Sequence, residues 1–197
     1  TKMQEIRVAG YKNNVVNPMS RNEGGSNILG KSRYDYFLGF DVHLVTVGTD
    51  EEKMKCLNDS VEEYGWTILN LGKGLKWEGG TMKGQGGGHK INLVKEYIKD
   101  KKDTDILIFL DGYDTFISDS IDEILYRFNE YCKDILFSSE RFCWPDEGLA
   151  SQLSALNEDQ DAPYQYLNSG QYVGRIGRLK ELFAEPIQNF EDDQLYV

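Results

Sequence analysis

The sequence is poor in residues that staple a chain, break it or carry it across a membrane. It has only three cysteines, Cys56, Cys132 and Cys143. Their odd number and their spacings fit neither a zinc site nor a disulfide framework, so buried thiols are the ordinary reading. Histidine occurs twice, as His43 and His89, and proline four times. No apolar run reaches the ~18 residues that a membrane-spanning helix needs, and no signal-peptide pattern is recognisable. Because the sequence opens on Thr1, a targeting segment could precede it. Positive charge is scarce. The 22 Lys and Arg face 33 Asp and Glu, for a net charge of -11 and a sequence pI near 4.7. Such a surface repels phosphate backbones, which argues against nucleic acid as a partner. It leaves room for a phosphorylated small molecule if a metal cation supplies the local positive charge.

What is present reads as a soluble globular chain. The 197 residues suffice for one domain, or one domain with an extension, and for a core that needs no staples. Aromatics make up 12%, including 12 Tyr, as a site that stacks sugar or base rings would need, although core and surface packing account for most of them. Residues 1–40 read as an N-terminal extension. Tyr11 to Lys31 is Asn-, Gly- and Ser-rich without a period, and Arg33 to Phe40 is aromatic enough to cover a core edge. Residues 41–197 read as one α/β domain. Val42, Leu44, Val45 and Val47 predict a strand ending at Gly48-Thr49. Thr49 or Asp50 is placed to cap a helix bearing Met54, Leu57, Val61 and Tyr64, ended by Gly65. Next come a short strand over Thr67 to Leu71, a glycine-rich loop over Gly72 to Gly88 and a helix bearing Ile91, Val94 and Ile98. The run from Asp105 to Leu110 is apolar at consecutive positions, as a strand buried on both faces would be. A helix bearing Ile121, Ile124, Leu125 and Phe128 and a strand from Ile135 to Ser138 complete the alternation of a wound sheet.

Five groups of residues could carry chemistry. Asp111 and Asp114 leave the end of the buried strand, where open α/β sheets place their ligands. Two carboxylates three apart in a turn can converge on one hard cation. The plainer alternative is a capped turn with Asp114 solvated. Gly86-Gly-Gly-His-Lys90 lets a backbone come close to a phosphate or sugar and puts Lys90 at a helix start, where cation and amides could face a phosphate. The alternative is a linker with a solvated lysine. Trp144, in Glu140-Arg-Phe-Cys-Trp-Pro145, could be a platform for a sugar face or a half-buried packing residue. Asn168, in Leu167-Asn-Ser-Gly170, could bond sugar hydroxyls or form an Asx turn preceding a strand. In Asp192-Asp193-Gln194 an acid could activate an acceptor hydroxyl, or simply start a helix.

Taken in order, Val45-Thr-Val, Trp77-Glu-Gly-Gly, Gly86-Gly-Gly-His-Lys, Asp111-Gly-Tyr-Asp, Phe137-Ser-Ser-Glu-Arg-Phe-Cys-Trp-Pro, Leu167-Asn-Ser-Gly and Asp192-Asp-Gln-Leu-Tyr resemble the glycosyltransferase domain of the procollagen lysyl hydroxylases. The resemblance runs from about Val42 to Val197. It implies a GT-A fold: a Rossmann-like mixed β-sheet flanked by helices. It implies a UDP-sugar donor, UDP-glucose first among them, and Mn²⁺ held by Asp111 and Asp114. Tyr113 would stack on the uracil, and Thr46 and Val47 would line the nucleotide pocket. Trp77, Lys90, Trp144 and Asn168 would line the diphosphate and sugar side, while Asp192, Asp193 and Gln194 would serve transfer. The implied acceptor is galactosyl-hydroxylysine of a collagen-like protein, with retention at the anomeric carbon. The implied compartment is the endoplasmic reticulum lumen, with the cytoplasm open if the chain departs from the family.

The sequence also departs from that pattern. The family has a further metal ligand, a histidine, well downstream of Asp192-Asp-Gln194. The 197 residues stop short of it, and neither His43 nor His89 takes its place. The expectation is a metal shell completed by water and phosphate, or a sequence that is a piece of a longer chain. The hydroxylase domains are not in it either, so lysine hydroxylation is not expected of these residues. Two alternatives stay open: a UDP-sugar transferase acting on a non-collagen glycan or protein, and a non-catalytic binding module that keeps the fold.

Overall fold

The computed structural model describes residues 4–5, 39–81, 86–157, 159 and 161–197. The segment Tyr11 to Lys31 and most of Arg33 to Phe40 lie outside the described residues.

The elements in chain order are β1 (Gln4–Glu5), β2 (Val42–Val47), α1 (Lys55–Glu63), β3 (Leu69–Asn70), α2 (Gly88–Ile98), β4 (Ile106–Asp111), β5 (Thr115–Phe116), α3 (Ile121–Glu130), β6 (Ile135–Glu140), α4 (Ala150–Ser154), β7 (Tyr166–Arg175), α5 (Ile176–Leu182) and α6 (Asp193–Tyr196). Five strands make one mixed sheet in the order β3-β2-β4-β7-β6. β2 pairs in parallel with β3 and β4, while β7 runs antiparallel to both β4 and β6. This is the mixed sheet with flanking helices expected of a GT-A fold. β1 and β5 form a separate two-residue parallel pair.

The central strand shows why its sequence reads so plainly. Along β4, Leu107 and Phe109 face one hydrophobic cluster with Val45, Ile91, Val94, Tyr172 and Leu179. Ile106, Ile108 and Leu110 face the other, with Leu44, Leu57, Val61, Ile121 and Phe128. Both faces are covered by helices, so every position is apolar and none alternates with a polar residue. The same period of two carries Asp111 to the Leu107 and Phe109 side, toward the first turn of α2.

Boundaries moved where caps differ from those read in the sequence. The Asp50 carboxylate accepts from the Glu52 and Lys53 amides, so it closes a turn over 51–54 and α1 starts only at Lys55. Gly65, at φ +76°, ends the helix as expected. Ser120 caps α3 by accepting from the Glu123 amide at 3.2 Å. The strand expected over Thr67 to Leu71 shrinks to Leu69–Asn70. Sequence patterning missed α5 and the part of β7 up to Asn168, where a turn before a strand was the alternative. The middle of β7, Asn168-Ser-Gly-Gln171, has turn chemistry, and packing overrides it.

Phe109 is 1% exposed and stacks on Tyr172 at a centroid distance of 4.9 Å. Phe109→Ala is expected to lower stability by about 3–5 kcal/mol, measured as a shift in the urea midpoint without a change in slope.

Candidate functional site

The site is built at the carboxyl end of β4. Asp111 is the last residue of the strand, and its carboxylate meets Lys90 in the first turn of α2. The Lys90 Nζ lies 3.0 Å from Asp111 Oδ1 and 3.3 Å from Oδ2. The same ammonium lies 2.8 Å from Asp193 Oδ2, at the start of α6. Burial disfavours the charge on Lys90, but Asp111 and Asp193 more than offset it and raise its pKa. The pKa of Asp111 is raised as well. Burial raises its pKa, Lys90 opposes this, and the charges of Asp114 and Asp193 add to it. Two carboxylates thus share one ammonium, and the charge of Asp114 acts on one of them, leaving an excess of negative charge at the strand end.

The glycine run that precedes Lys90 serves the protein's own packing. A Cβ on Gly86 would strike the Gly79 carbonyl, one on Gly88 the Gln188 carbonyl, and one on Gly87 the Asp193 carboxylate. Gly87 also holds φ +103°, which favours glycine. Its segment pairs with Asp192 on one side and with Gly79 on the other. The first amides of α2 are spent as well. Gly88 N donates to Glu191 O at 2.8 Å and His89 N to Asn189 O at 2.9 Å. The sequence expectation that these amides face a phosphate is therefore corrected: they tie α2 to residues 188–193. The linker alternative falls for residues 86–90 on the same bonds. Residues 82–85 of the loop lie outside the described residues.

The other wall comes from a bulge. Between Phe137 and Ser138 of β6, the partner on β7 jumps from Tyr172 to Asn168, so residues 169–171 are surplus to that ladder. The bulge brings Gly170 against Asp111, where an added Cβ would lie 2.7 Å from Oδ2. The Asn168 side-chain carbonyl accepts from Gly170 N at 2.9 Å and from Ser138 Oγ at 3.2 Å. The Asx-turn alternative for Asn168 is therefore present, inside a strand. Gln194 fastens the bulge to the loop after β6. Its Oε1 accepts from Ser169 N at 3.2 Å, and its Nε2 donates to Glu140 Oε1 at 2.7 Å and to the Trp144 carbonyl at 2.8 Å.

On the side facing β3, Gly112 lies against Thr46 and Val47, and the Tyr113 ring lies beside Gly48. Thr46 is fully buried, and its Oγ1 has no hydrogen-bond partner among the described residues. The Tyr113 hydroxyl accepts from Thr49 N at 2.8 Å and Asp50 N at 3.1 Å, which pins a ring that is 39% exposed. Lys53 Nζ sits 5.6 Å from the centre of that ring.

The residues singled out in the sequence do not all join one cluster. Lys90, Asp111 and Asp193 do, and Asp114 acts on Asp111 through its charge. Asp192 does not. Its Oδ1 accepts from Gln194 N and Leu195 N, so it caps α6, in keeping with the helix-start alternative. Gln194 bridges chain segments. Trp77 donates from Nε1 to Gly80 O and lies against His89, while Trp144 stays half exposed with its carbonyl held by Gln194. Among the described residues, no three or more His, Cys, Asp or Glu side chains are arranged to hold a metal ion. Three residues escaped the sequence reading. Glu140 ends β6 as Asp111 ends β4, and burial raises its pKa against the hydrogen bonds of Gln194 and Asn168. Its position at a strand's carboxyl end was the available signal. Tyr172 carries a buried hydroxyl without a hydrogen-bond partner among the described residues. Burial, then the charges of Asp193 and Asp111, raise its pKa. Asn70, in a two-residue strand, gave no signal.

Comparison with known proteins identifies the family. A family model described as the PLOD GT domain matches residues 40–197. Procollagen-lysine,2-oxoglutarate 5-dioxygenase of Drosophila melanogaster is 39% identical over 140 residues, covering 70% of this chain and 19% of that protein. The multifunctional procollagen lysine hydroxylase and glycosyltransferase of Caenorhabditis elegans is 36% identical over 161 residues, covering 78% of this chain and 21% of that protein. Its Rattus norvegicus counterpart, LH3, is 34% identical over 158 residues, with the same coverage. The chain thus spans about a fifth of the length of these relatives.

Removing the ammonium tests the cluster. Lys90→Met is expected to cost about 3 kcal/mol at neutral pH, because it leaves two buried carboxylates facing each other. The folded-state pKa of Asp111 is already raised and would rise further. The penalty is therefore full above that value and fades as pH falls through it toward the ordinary carboxylate range. Urea titrations of both proteins across that window would show the difference shrinking with acid.

Proposed function

The chain belongs to the family of PLOD GT domains, and on that premise we propose that it is a metal-dependent hexosyltransferase domain with a UDP-sugar donor. Glucose is the proposed sugar. The proposed acceptor is a hydroxyl on a collagen-like protein, such as galactosyl-hydroxylysine, with the anomeric configuration retained. The net charge of -11 suits a basic acceptor, and the relatives' names speak of procollagen lysine.

One observation carries this reading. The end of the central strand sets Asp111 against Lys90, with Asp193 on the same lysine and the charge of Asp114 acting on Asp111. Burial and neighbouring acids raise the Asp111 pKa, and a divalent cation would relieve both effects. The donor set fits such an ion. Two hard carboxylates, with the remaining positions left to diphosphate oxygens and water, suit Mn²⁺ or Mg²⁺ and not zinc. Asp111 and Asp114 would hold it. When bound, the ion would offset the diphosphate charge and that of the departing UDP.

The chain's own residues have distinct tasks in this proposal. Lys90 keeps Asp111 and Asp193 fixed across the site and adds positive charge beside the diphosphate. Tyr113, anchored through its hydroxyl, offers its ring to the uracil, with Thr46 and Val47 beneath. Trp77, Trp144 and Asn168 bound the sugar side. Asp193 is the acid nearest the reacting region. Asp192 and Gln194 act on it indirectly, by capping α6 and by bracing the bulge.

The test is UDP-glucose hydrolysis and UDP binding with and without Mn²⁺. Activity should require the metal. Asp114→Ala should abolish metal-dependent UDP binding while changing stability by no more than about 0.5 kcal/mol, as expected of a carboxylate in a surface turn. Unchanged UDP affinity in that variant would reject the metal assignment.

A further inference from the structure

Asn70 lies at the end of β3, apart from the Lys90 cluster, yet its side chain is fully used. Its Oδ1 accepts from Gly48 N at 3.0 Å and from Gly72 N at 2.9 Å. Its Nδ2 donates to Gly48 O at 2.8 Å and also approaches Met54 Sδ at 3.3 Å. The amide group therefore mirrors the peptide groups of Gly48, pairing with both N–H and C=O as a neighbouring strand would. The clamp sits where β2 ends and its sheet bonds stop. The two glycine backbones it joins are in close contact, for a Cβ on Gly72 would lie 3.0 Å from both Gly48 N and Gly48 O.

The residues after Gly48 give the clamp its consequence. The next two amides, of Thr49 and Asp50, donate to the Tyr113 hydroxyl, and the Thr49 hydroxyl lies 3.2 Å from it. The Tyr113 ring also rests beside Gly48, whose added Cβ would come within 3.3 Å of its edge. Three successive residues thus have two anchors. Asn70 holds the first, and Tyr113 holds the second and third. Releasing the first lets the other two amides drift, and the ring they steady drifts with them.

We propose that Asn70 is a positioning residue for the nucleotide base, acting through the 48–50 turn to hold the Tyr113 ring in place. This rests on the reading of the chain as a UDP-sugar-dependent transferase. A side chain that only stiffened the sheet would affect stability alone. One that sets the Tyr113 ring must affect recognition of the base, with or without phosphates attached.

The test compares uridine and UDP, the latter with Mn²⁺, in titrations of the wild-type protein, Asn70→Ala, Tyr113→Phe and the double variant. Asn70→Ala is expected to weaken both ligands by the same factor, about tenfold, the effect of losing hydrogen bonds worth about 1.4 kcal/mol. In turnover, KM for UDP-glucose should rise by a similar factor with kcat nearly unchanged. Because both variants loosen one turn, the double variant should lose less than the product of the single losses. Unchanged uridine affinity in Asn70→Ala, or fully multiplicative losses, would overturn the inference. If Asn70→Ala does not fold, Asn70→Asp keeps the acceptor for both amides and replaces the donor to Gly48 O by a carboxylate oxygen that repels it. Wild-type affinity for uridine in that variant would overturn the inference equally. Wild-type protein that binds neither ligand would reject the donor reading itself.

Discussion

One lysine between two aspartates organises the molecule. Lys90 comes from the first turn of α2, Asp111 from the end of β4 and Asp193 from the start of α6. A single ammonium thus joins three elements that share no other charged contact among the described residues. Burying any one of the three alone would be costly, and their mutual proximity makes the arrangement tolerable. Much nearby architecture serves that meeting. Gly87 gives way to Asp193, Gly170 gives way to Asp111, and the bulge in β7 brings the second of these glycines into position. The negative charge left over at the cluster is the physical basis for expecting a cation there.

The structure separates two kinds of acid that look alike in the sequence. Asp192 and Asp193 are adjacent, yet one spends its oxygens on helix amides and the other faces a lysine. Likewise, Asp50 closes a turn while Asp111 stands in the site. Acid content therefore says little about chemistry here. What matters is which acids meet a charged partner away from solvent; Asp50 meets Lys53 only at the surface.

The fold was legible where burial alone dictates sequence. β2 and β4 could be read from their apolar runs because each is buried against both cores, and α2 and α3 from their periodicity because each presents one face to one core. Asp111 and Lys90 were legible because they sit at a strand end and a helix start. The rest was not, for reasons particular to each residue. β7 hides behind Asn168-Ser-Gly-Gln because its bulge needs turn residues inside a strand. Gly86-Gly-Gly88 looks like a ligand loop because close approach to a phosphate and close approach to another backbone demand the same residue. Asn70 is silent because its importance lies in a backbone partner more than twenty residues away, which no local pattern records.

The pairing of the 86–90 segment with the 188–194 segment has a temporal side. The two stretches are more than a hundred residues apart, and a chain made from its amino end exposes the first long before the second exists. Until Asp193 emerges, Lys90 has only Asp111 to bind and Gly87 has no carboxylate to pack against. A nascent chain therefore makes the residues of its central strand well before those of α6, and the lysine cluster closes only when α6 docks.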